Sequence, residues 1–384
     1  MILALNAGSS SLKFAVFASG DASQRILSGA LARIATSDGT LTVHGTPPEA
    51  HRVDLPDHAA AWRVLTETLE ARLDVRTLAA VGHRIVHGGA TYAGPVRITS
   101  EVEATLRSLI PLAPEHLPQA LDAIDAVRRW SPDLAQIACF DTAFHRRMPR
   151  VAQLWGLTRA LTDRGVIRYG FHGLSYEYVV SAVPLGRRAV VAHLGNGASV
   201  AAILDGQSID TSMGMTPTGG LVMGTRSGDL DPGVVLYLQN EGGWSVAAVS
   251  RLVNHEAGLL GLSGITSDMQ ELLASSDSHA REAVDVFCYH VKKTIGAYVA
   301  VLGGLDTLVF TGGIGEHAAP VRQRIADGLD SFGVRLDAAR NTANADVISD
   351  SGAPVTVRVV ATDEELMIAK HVTDVLRRQA PPAA

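Results

Sequence analysis

Two stretches half a chain apart share one pattern of apolar and polar positions. Residues 2–17 run Ile-Leu-Ala-Leu-Asn-Ala-Gly-Ser-Ser-Ser-Leu-Lys-Phe-Ala-Val-Phe, and residues 189–204 run Ala-Val-Val-Ala-His-Leu-Gly-Asn-Gly-Ala-Ser-Val-Ala-Ala-Ile-Leu. Each reads as a strand, a tight glycine turn and a second strand. A repeat at that distance suggests two related domains facing each other across a cleft. Helical periodicity fills the intervals. Val284, Phe287, Val291, Ile295, Tyr298 and Leu302 step by three or four residues, an apolar helical stripe that runs into a strand at 307–310. Ser100 with Glu103 predicts a capping box opening a helix to Ile110, and Thr362 with Glu365 a second one, leading into Leu366, Ala369, Val372 and Leu376. Alternating strands and helices predict an α/β layer architecture. The arginine-rich run 146–150 with Pro149 marks a domain junction, and the tail 379–384 is expected to fray.

Composition narrows the class. The chain has 384 residues, 47% apolar and 19% charged, enough to bury two or three domain cores. A formal net charge of −6 disfavours bulk binding to nucleic acid or to an anionic membrane. Cys139 and Cys288 are the only cysteines, which excludes a disulfide scaffold and a cysteine zinc site. The first residues carry no charged segment ahead of the apolar run and are not expected to be a signal peptide. The uncharged helical stretch 294–305 is far short of the roughly 20 residues a membrane span requires. A cytoplasmic protein is expected.

Glycines cluster after apolar runs at four places: 6–13, 193–197, 217–233 and 311–316. Four such turns suggest a polyphosphate held by backbone N–H groups. None of the four lysines (Lys13, Lys292, Lys293, Lys370) follows a glycine, which excludes a Walker A loop. Gly313-Ile-Gly315 lacks the third glycine of a dinucleotide fingerprint, and His255-Glu256 lacks the second histidine of a zinc protease. What remains is a phosphate site built from two hairpin turns and a glycine-rich turn at a helix start. That pattern resembles the superfamily of acetate kinases, sugar kinases, heat-shock ATPases and actin. Within it, eight segments in order resemble the acetate kinase family: Asn6-Ala-Gly-Ser-Ser-Ser-Leu-Lys-Phe14, Gly82-His-Arg-Ile-Val-His-Gly-Gly89, Phe140-Asp-Thr-Ala-Phe-His145, Gly170-Phe-His-Gly173, His193-Leu-Gly-Asn-Gly-Ala-Ser199, Met223-Gly-Thr-Arg-Ser-Gly-Asp229, Thr311-Gly-Gly-Ile-Gly-Glu316 and Thr362-Asp-Glu-Glu-Leu366.

The resemblance implies an α/β fold of two duplicated ribonuclease H-like (actin-like ATPase) domains facing a central cleft. Their bounds are expected at 1–148, joined by a C-terminal helix at 366–384, and at 149–365. The implied activity is Mg²⁺-dependent, reversible, direct in-line transfer of the ATP γ-phosphoryl group to acetate, giving acetyl phosphate and ADP. A carboxylate nucleophile already carries its charge, so no general base is required; alignment and neutralisation of phosphoryl charge are. The resemblance assigns Arg84 to the substrate carboxylate, with Val86, Phe171 and Pro217 around the acyl group. Asp141, His172 and Arg226 are the implied catalytic residues: His172 as a donor to phosphoryl oxygens, Asp141 as the group orienting an arginine or a magnesium-bound water. Asn6 and Glu364 are the implied metal positions, for Mg²⁺ or for Mn²⁺ in its place. ATP and ADP fall to Lys13, to the turn His193, Leu194, Gly195, Asn196 and Gly197, to Asp268, Met269 and Gln270, and to Gly313, Ile314, Gly315, Glu316 and His317. A homodimer is also implied. His83, His87 and His116 read instead as core or surface histidines.

Departures from the family bear on specificity. The adenosine segment is commonly Asp-Phe-Arg and here is Asp268-Met269-Gln270; Glu316-His317 replaces Glu-Asn. Glu115 stands where leucine is usual, and Thr218-Gly219 replaces Leu-Glu. A carboxylate beside an acyl chain is costly unless turned away or paired. A propionate or other short-chain acyl kinase, a sugar kinase using Asp141 as base, and a non-catalytic nucleotide-binding protein are the rival readings.

Overall fold

The first apolar hairpin forms as its alternation requires. In the computed structural model, which describes every residue except 9, 20, 22, 23, 46 and 380–384, β1 (Ile2–Ala7) pairs antiparallel with β2 (Ser11–Phe17), placing Asn6 opposite Lys13. Further antiparallel strands extend one side: β3 (Arg25–Ala32), β4 (Thr40–Val43) and β5 (Glu49–Arg52). On the other side β6 (Ala80–Ile85) runs parallel to β1. The short β7 (Val96–Arg97) closes the far edge, antiparallel to β8 (Ala135–Phe140), which is itself parallel to β6. The sheet order is β5-β4-β3-β2-β1-β6-β8-β7. Parallel strands covered on both faces read as continuous apolar runs, and β1 is buried at all six positions.

The second hairpin, β9 (Arg188–Leu194) with β10 (Ala198–Leu204), is followed by the antiparallel β11 (Gln207–Thr211). After a long helical excursion, β12 (Thr307–Thr311) and β13 (Thr356–Val359) join in parallel, giving the order β11-β10-β9-β12-β13. The strands β3-β2-β1-β6-β8 of the first sheet repeat this order: a meander of three, then two parallel neighbours. The 25-residue helix Ser278–Leu302 packs its stripe on β9 and β10, and all six stripe residues are buried.

Contacts divide the chain into two compact units, residues 1–143 with 363–384, and residues 144–362. The arginine-rich run 146–150 belongs to the second unit, because His145 just ahead of it is anchored there: Nδ1 meets Ser208 Oγ at 2.7 Å and Nε2 donates to the Phe171 carbonyl at 2.9 Å. The last helix, Glu364–Gln379, lies on β1 and β6 of the first unit, so close that a β-carbon at Gly82 would strike Ile368 and Val372. Residues 380–384 of the expected frayed tail lie outside the described residues.

Both capping expectations shift by one residue. Thr99, in extended backbone, caps the helix Ser100–Ser108 by accepting from Val102 N, whereas Ser100 is already helical. Asp363 Oδ1 accepts from Leu366 N at 2.9 Å and caps the last helix in place of Thr362. In each case the side chain that reaches the third amide is the last residue outside the helix.

Candidate active site

In the first unit the three parallel strands end side by side, and each delivers one polar residue. Asn6 lies near the end of β1, Arg84 near the end of β6, and Asp141 directly after β8, with Asp141 N bonded to the Ile85 carbonyl at 2.9 Å. Carboxyl ends of parallel strands are where open α/β sheets bind ligands. Arg84 donates from Nε and Nη2 to the two Asp141 carboxylate oxygens at 2.9 and 2.6 Å, and from Nη1 to Asn6 Oδ1 at 3.1 Å. Asn6 Nδ2 in turn donates to Glu364 Oε2 at 2.9 Å and Glu365 Oε1 at 3.4 Å. Glu364 also stands 3.6 Å from Arg84 Nη1.

Asp141 is 1% exposed and Arg84 19%. Burial opposes the Arg84 charge, but Asp141 and Glu364 outweigh it and push its pKa up. Burial, then the neighbouring Glu364 charge, holds the Glu365 carboxyl above the usual carboxylate range. One arginine therefore faces three acids, a local excess of negative charge. Lys13, on β2, is exposed and helps to hold the Glu365 pKa down. Val86 is buried beyond the end of β6. Glu115 is exposed.

The second unit assembles its own cluster, again at strand ends. Thr311 at the end of β12 lies opposite His193 near the end of β9. Gly312 begins the next helix, Gly312–His317, with φ +76°. A β-carbon there would fall 2.7 Å from the Leu194 carbonyl, so glycine is required both by the backbone and by the close approach. The β9–β10 turn closes through Gly195 N to the Gly197 carbonyl at 3.1 Å. Met223–Arg226 folds over it, with Gly224 N donating to the Asn196 carbonyl at 3.0 Å.

His172, at the start of the helix Gly173–Ala182, adopts φ +58° and ψ 25°, a left-handed conformation that is uncommon without glycine. Its ring stacks on His193 with centroids 4.3 Å apart, and its Nδ1 meets Ser199 Oγ at 2.8 Å. A β-carbon built on Gly197 would lie 3.4 Å from His172 Nε2 and 3.5 Å from Arg226 Nη1. The imidazole and the guanidinium thus converge on one spot above Gly197. Arg226 Nη1 also donates to the Pro217 carbonyl at 3.2 Å. Phe171 is 1% exposed, while Pro217 is half-buried. Thr218, in the segment that departs from the family, donates its hydroxyl to Asn254 Oδ1 at 2.6 Å.

Beside these turns lies a cavity of about 550 Å³, lined by Gly195, Asn196, Asp268, Met269, Gln270, Gly313, Ile314 and His317 among others. Asp268 caps the helix Met269–Ala274, accepting from Gln270 N at 2.7 Å and Glu271 N at 3.0 Å; Met269 is buried and Gln270 exposed. Glu316 Oε1 accepts from Gly312 N at 3.0 Å, and His317 is exposed. Gly315 is buried, and its carbonyl accepts from Arg322, which also bonds Asn341 and Asn344 and clamps the turn from behind. Composition and motif gave no hint of Arg322, Ser199 or Glu365 as parts of these clusters, although Ser199 and Glu365 sit inside segments singled out for other residues.

Gly197→Ala should leave the fold intact, since the added methyl makes ordinary contacts. It should lower turnover at least tenfold, by about 1.4 kcal/mol, by filling the spot that His172 and Arg226 share. Thermal melting and steady-state kinetics on the same sample check both halves.

Comparisons with known proteins show the family. A family model described as the Acetokinase family matches residues 1–370. The acetate kinase of Rhodopseudomonas palustris (strain TIE-1) is 46% identical over 392 residues, covering 97% of this chain and 97% of its own. That of Bacillus cytotoxicus is 42% identical over 97% of this chain and 98% of its own. Among solved structures, a propionate kinase from Francisella tularensis subsp. tularensis SCHU S4 superposes with a TM-score of 0.89 at 37% identity, over 96% of this chain and 98% of its own. Porphyromonas gingivalis acetate kinase gives 0.84 at 37% identity, over 98% and 99%.

Proposed function

The chain belongs to the acetokinase family, and from that membership we propose how its residues work. It is a phosphotransferase with a carboxyl group as acceptor: it transfers the γ-phosphoryl group of ATP to acetate, reversibly, giving acetyl phosphate and ADP. The observation that carries the reading is the convergence of His172 Nε2 and Arg226 Nη1 above Gly197, beside backbone turns suited to phosphate.

Acetate attacks without losing a proton, so the residues need only align the reactants and stabilise charge. Asp141 occupies the Nε/Nη2 edge of Arg84 and Asn6 takes one Nη1 hydrogen, so the acetate carboxylate would take the remaining Nη1 and Nη2 hydrogens as a planar fork. Asp141 fixes that guanidinium. The acyl group falls to Val86, Phe171 and Pro217; of these Pro217 is half-buried, and the buried Val86 and Phe171 would act as packing behind the contact surface. His172 and Arg226 hold the equatorial phosphoryl oxygens, with the charge of Arg226 matching the charge that develops there. The turns at 193–197 and 313–317 take the β- and γ-phosphates through backbone amides, and Asp268, Met269 and Gln270 border the space for the adenosine. Lys13 supplies a further positive charge to the phosphates.

Among the described residues no group of three or more His, Cys, Asp or Glu could hold a metal by itself. Magnesium wants few protein oxygens and keeps its waters and substrate phosphates. The carboxylates Glu364 and Glu365, with their excess negative charge, fit it, while Asn6, whose Oδ1 accepts from Arg84 and whose Nδ2 donates to both, would act by orienting them; Mn²⁺ has the same ligand taste. When bound, the ion would neutralise phosphate charge. A hydroxamate trap for acyl phosphate, run over acetate, propionate and butyrate with and without Mg²⁺, tests the assignment. Acetate should give the highest kcat/KM, and EDTA should abolish the reaction; no acyl phosphate from any carboxylate would overturn it. A propionate preference is the second reading, favoured by the similarity to the Francisella tularensis propionate kinase.

One surface supports a homodimer. The helix Pro232–Asn240 buries none of its residues yet exposes Val234, Leu236 (57% exposed) and Tyr237 (64% exposed). Exposed apolar patches of this kind mark association sites. Light scattering should give twice the 40.4 kDa chain mass, and Leu236→Asp should halve it. No helix among the described residues is long and apolar enough to cross a membrane, and both cysteines are buried. A cytoplasmic location, where ATP is abundant, suits the reaction.

A further inference from the structure

Behind His172 lies a chain of hydroxyls that the transfer itself does not use. Tyr176, one turn along the helix Gly173–Ala182, places its phenol oxygen 2.5 Å from Ser199 Oγ on β10. Ser199 Oγ is 2.8 Å from His172 Nδ1. Tyr176 and Ser199 are both 0% exposed, so no bulk water competes for these bonds.

Proton bookkeeping gives the chain a direction. Burial raises the Tyr176 pKa, although the bond to Ser199 pulls the other way, and the phenol keeps its hydrogen. Among the described residues Ser199 Oγ is the hydrogen-bond partner of that phenol, so Tyr176 donates and Ser199 accepts. A hydroxyl has a single hydrogen. Ser199, having accepted from Tyr176, turns its own hydrogen to His172 Nδ1. A neutral imidazole carries one N–H, and with Nδ1 acting as acceptor that N–H lies on Nε2. Nε2 is the atom that faces the spot above Gly197, which Arg226 Nη1 also faces. The left-handed backbone of His172 and the stacked His193 ring hold the imidazole plane for it.

We propose that Tyr176 and Ser199 are positioning residues that lock His172 in its Nε2–H tautomer, presenting an N–H donor, with no change of charge, to the phosphoryl group. The proposal rests on the phosphotransfer reading for its kinetic consequence, but the tautomer itself is measurable without substrate. A donor of this kind matters because one such hydrogen bond in a preorganised site is worth about 10²–10³ in turnover. Without Ser199 the ring is free to carry its proton on Nδ1, and Nε2 would then present a lone pair to an anionic oxygen.

The test is nitrogen NMR on full-length protein labelled with ¹⁵N-histidine, with the His172 signals assigned by comparison with His172→Ala. The expected result is a protonated Nε2 and an unprotonated Nδ1, with Ser199→Ala shifting the signals toward a mixture. Ser199→Ala should lower kcat about tenfold or more while the KM values for ATP and acetate stay within about twofold. Ser199→Thr should recover most of kcat. In a His172→Ala background, Ser199→Ala should cost nothing further. Tyr176→Phe, which keeps the ring and the packing, covers the case in which Ser199→Ala fails to fold, and it should move the same signals in the same direction. A wild-type proton on Nδ1, or tautomer and kcat both indifferent to Ser199→Ala and Tyr176→Phe, would overturn the proposal. Failure of the wild-type enzyme to form any acyl phosphate would overturn the assigned reaction instead, with the tautomer still decided by the NMR arm.

Discussion

Arg226→Ala should lower kcat/KM for acyl phosphate formation about 10³-fold, or about 4 kcal/mol of transition-state stabilisation. Phosphoryl transfer leaves the protein little covalent work, so the residue that meets the developing charge carries a large share of the rate. Arg226 has that position: its Nη1 lies against the spot above Gly197 that His172 Nε2 also faces, and the Pro217 carbonyl holds the guanidinium there at 3.2 Å. Arg226→Lys should recover only part of the loss, because a point charge on a flexible stem does not reproduce a planar fork. Substrate binding should change far less than turnover, since the charge being met exists only in transit. A loss below about tenfold, or about 1.4 kcal/mol, would remove Arg226 from the mechanism.

A second large effect concerns stability and acid. His83 on β6 is 2% exposed, and burial lowers its pKa to about 4, with the bond to Gln136 Oε1 opposing the shift. His145, 1% exposed in the second unit, is lowered to about 4 by the same cause, with the bond to the Phe171 carbonyl opposing. Both begin from an ordinary value of 6.5 in the unfolded chain. Between the two values the unfolded state binds more protons than the folded one, so stability rises with pH across that window. It is fully present above about pH 6.5 and is lost as pH falls toward about 4. At 1.36 kcal/mol per pKa unit, each histidine withdraws roughly 3 kcal/mol over that interval. Denaturant titrations at pH 7 and pH 5 should show the drop, and His83→Gln should flatten the part that belongs to the first unit. An unchanged slope in His83→Gln would mean that His83 takes up no proton on unfolding in this range.

How much of the site could be read from the chain depends on how local each signal is. Asn6 and Lys13 face each other across β1 and β2, seven residues apart, and alternation with a glycine turn is enough to pair them. The Gly195–Gly197 and Gly312–Gly315 turns are legible for the same reason: a strand that ends in glycine declares its own backbone need. Asp141 could be placed at a strand end because the buried run before it stops there. The partner that it chooses could not. Arg84 meets Asp141 across 57 positions, and Asn6 meets Glu364 across 358. No window of sequence spans such distances.

Other features turn on geometry that residue type leaves open. Ser100 and Thr99 are equally good caps by composition, and only the backbone angle decides which hydroxyl reaches an amide. His83 and His87 look alike in the run 82–89, but His83 bonds Gln136 on the neighbouring strand while His87 Nδ1 accepts from Gly89 N at 2.9 Å. What the chain determined alone is therefore the hairpins, the glycine turns, the α/β alternation and the roster of charged residues, because each follows from covalent neighbours and short-range backbone preference. Which carboxylate holds Arg84, which hydroxyl faces His172, and which histidines lose water were decided by tertiary structure. Hydrogen-bond geometry and desolvation belong to the packed interior, and they come into being only when strands distant in sequence lie side by side.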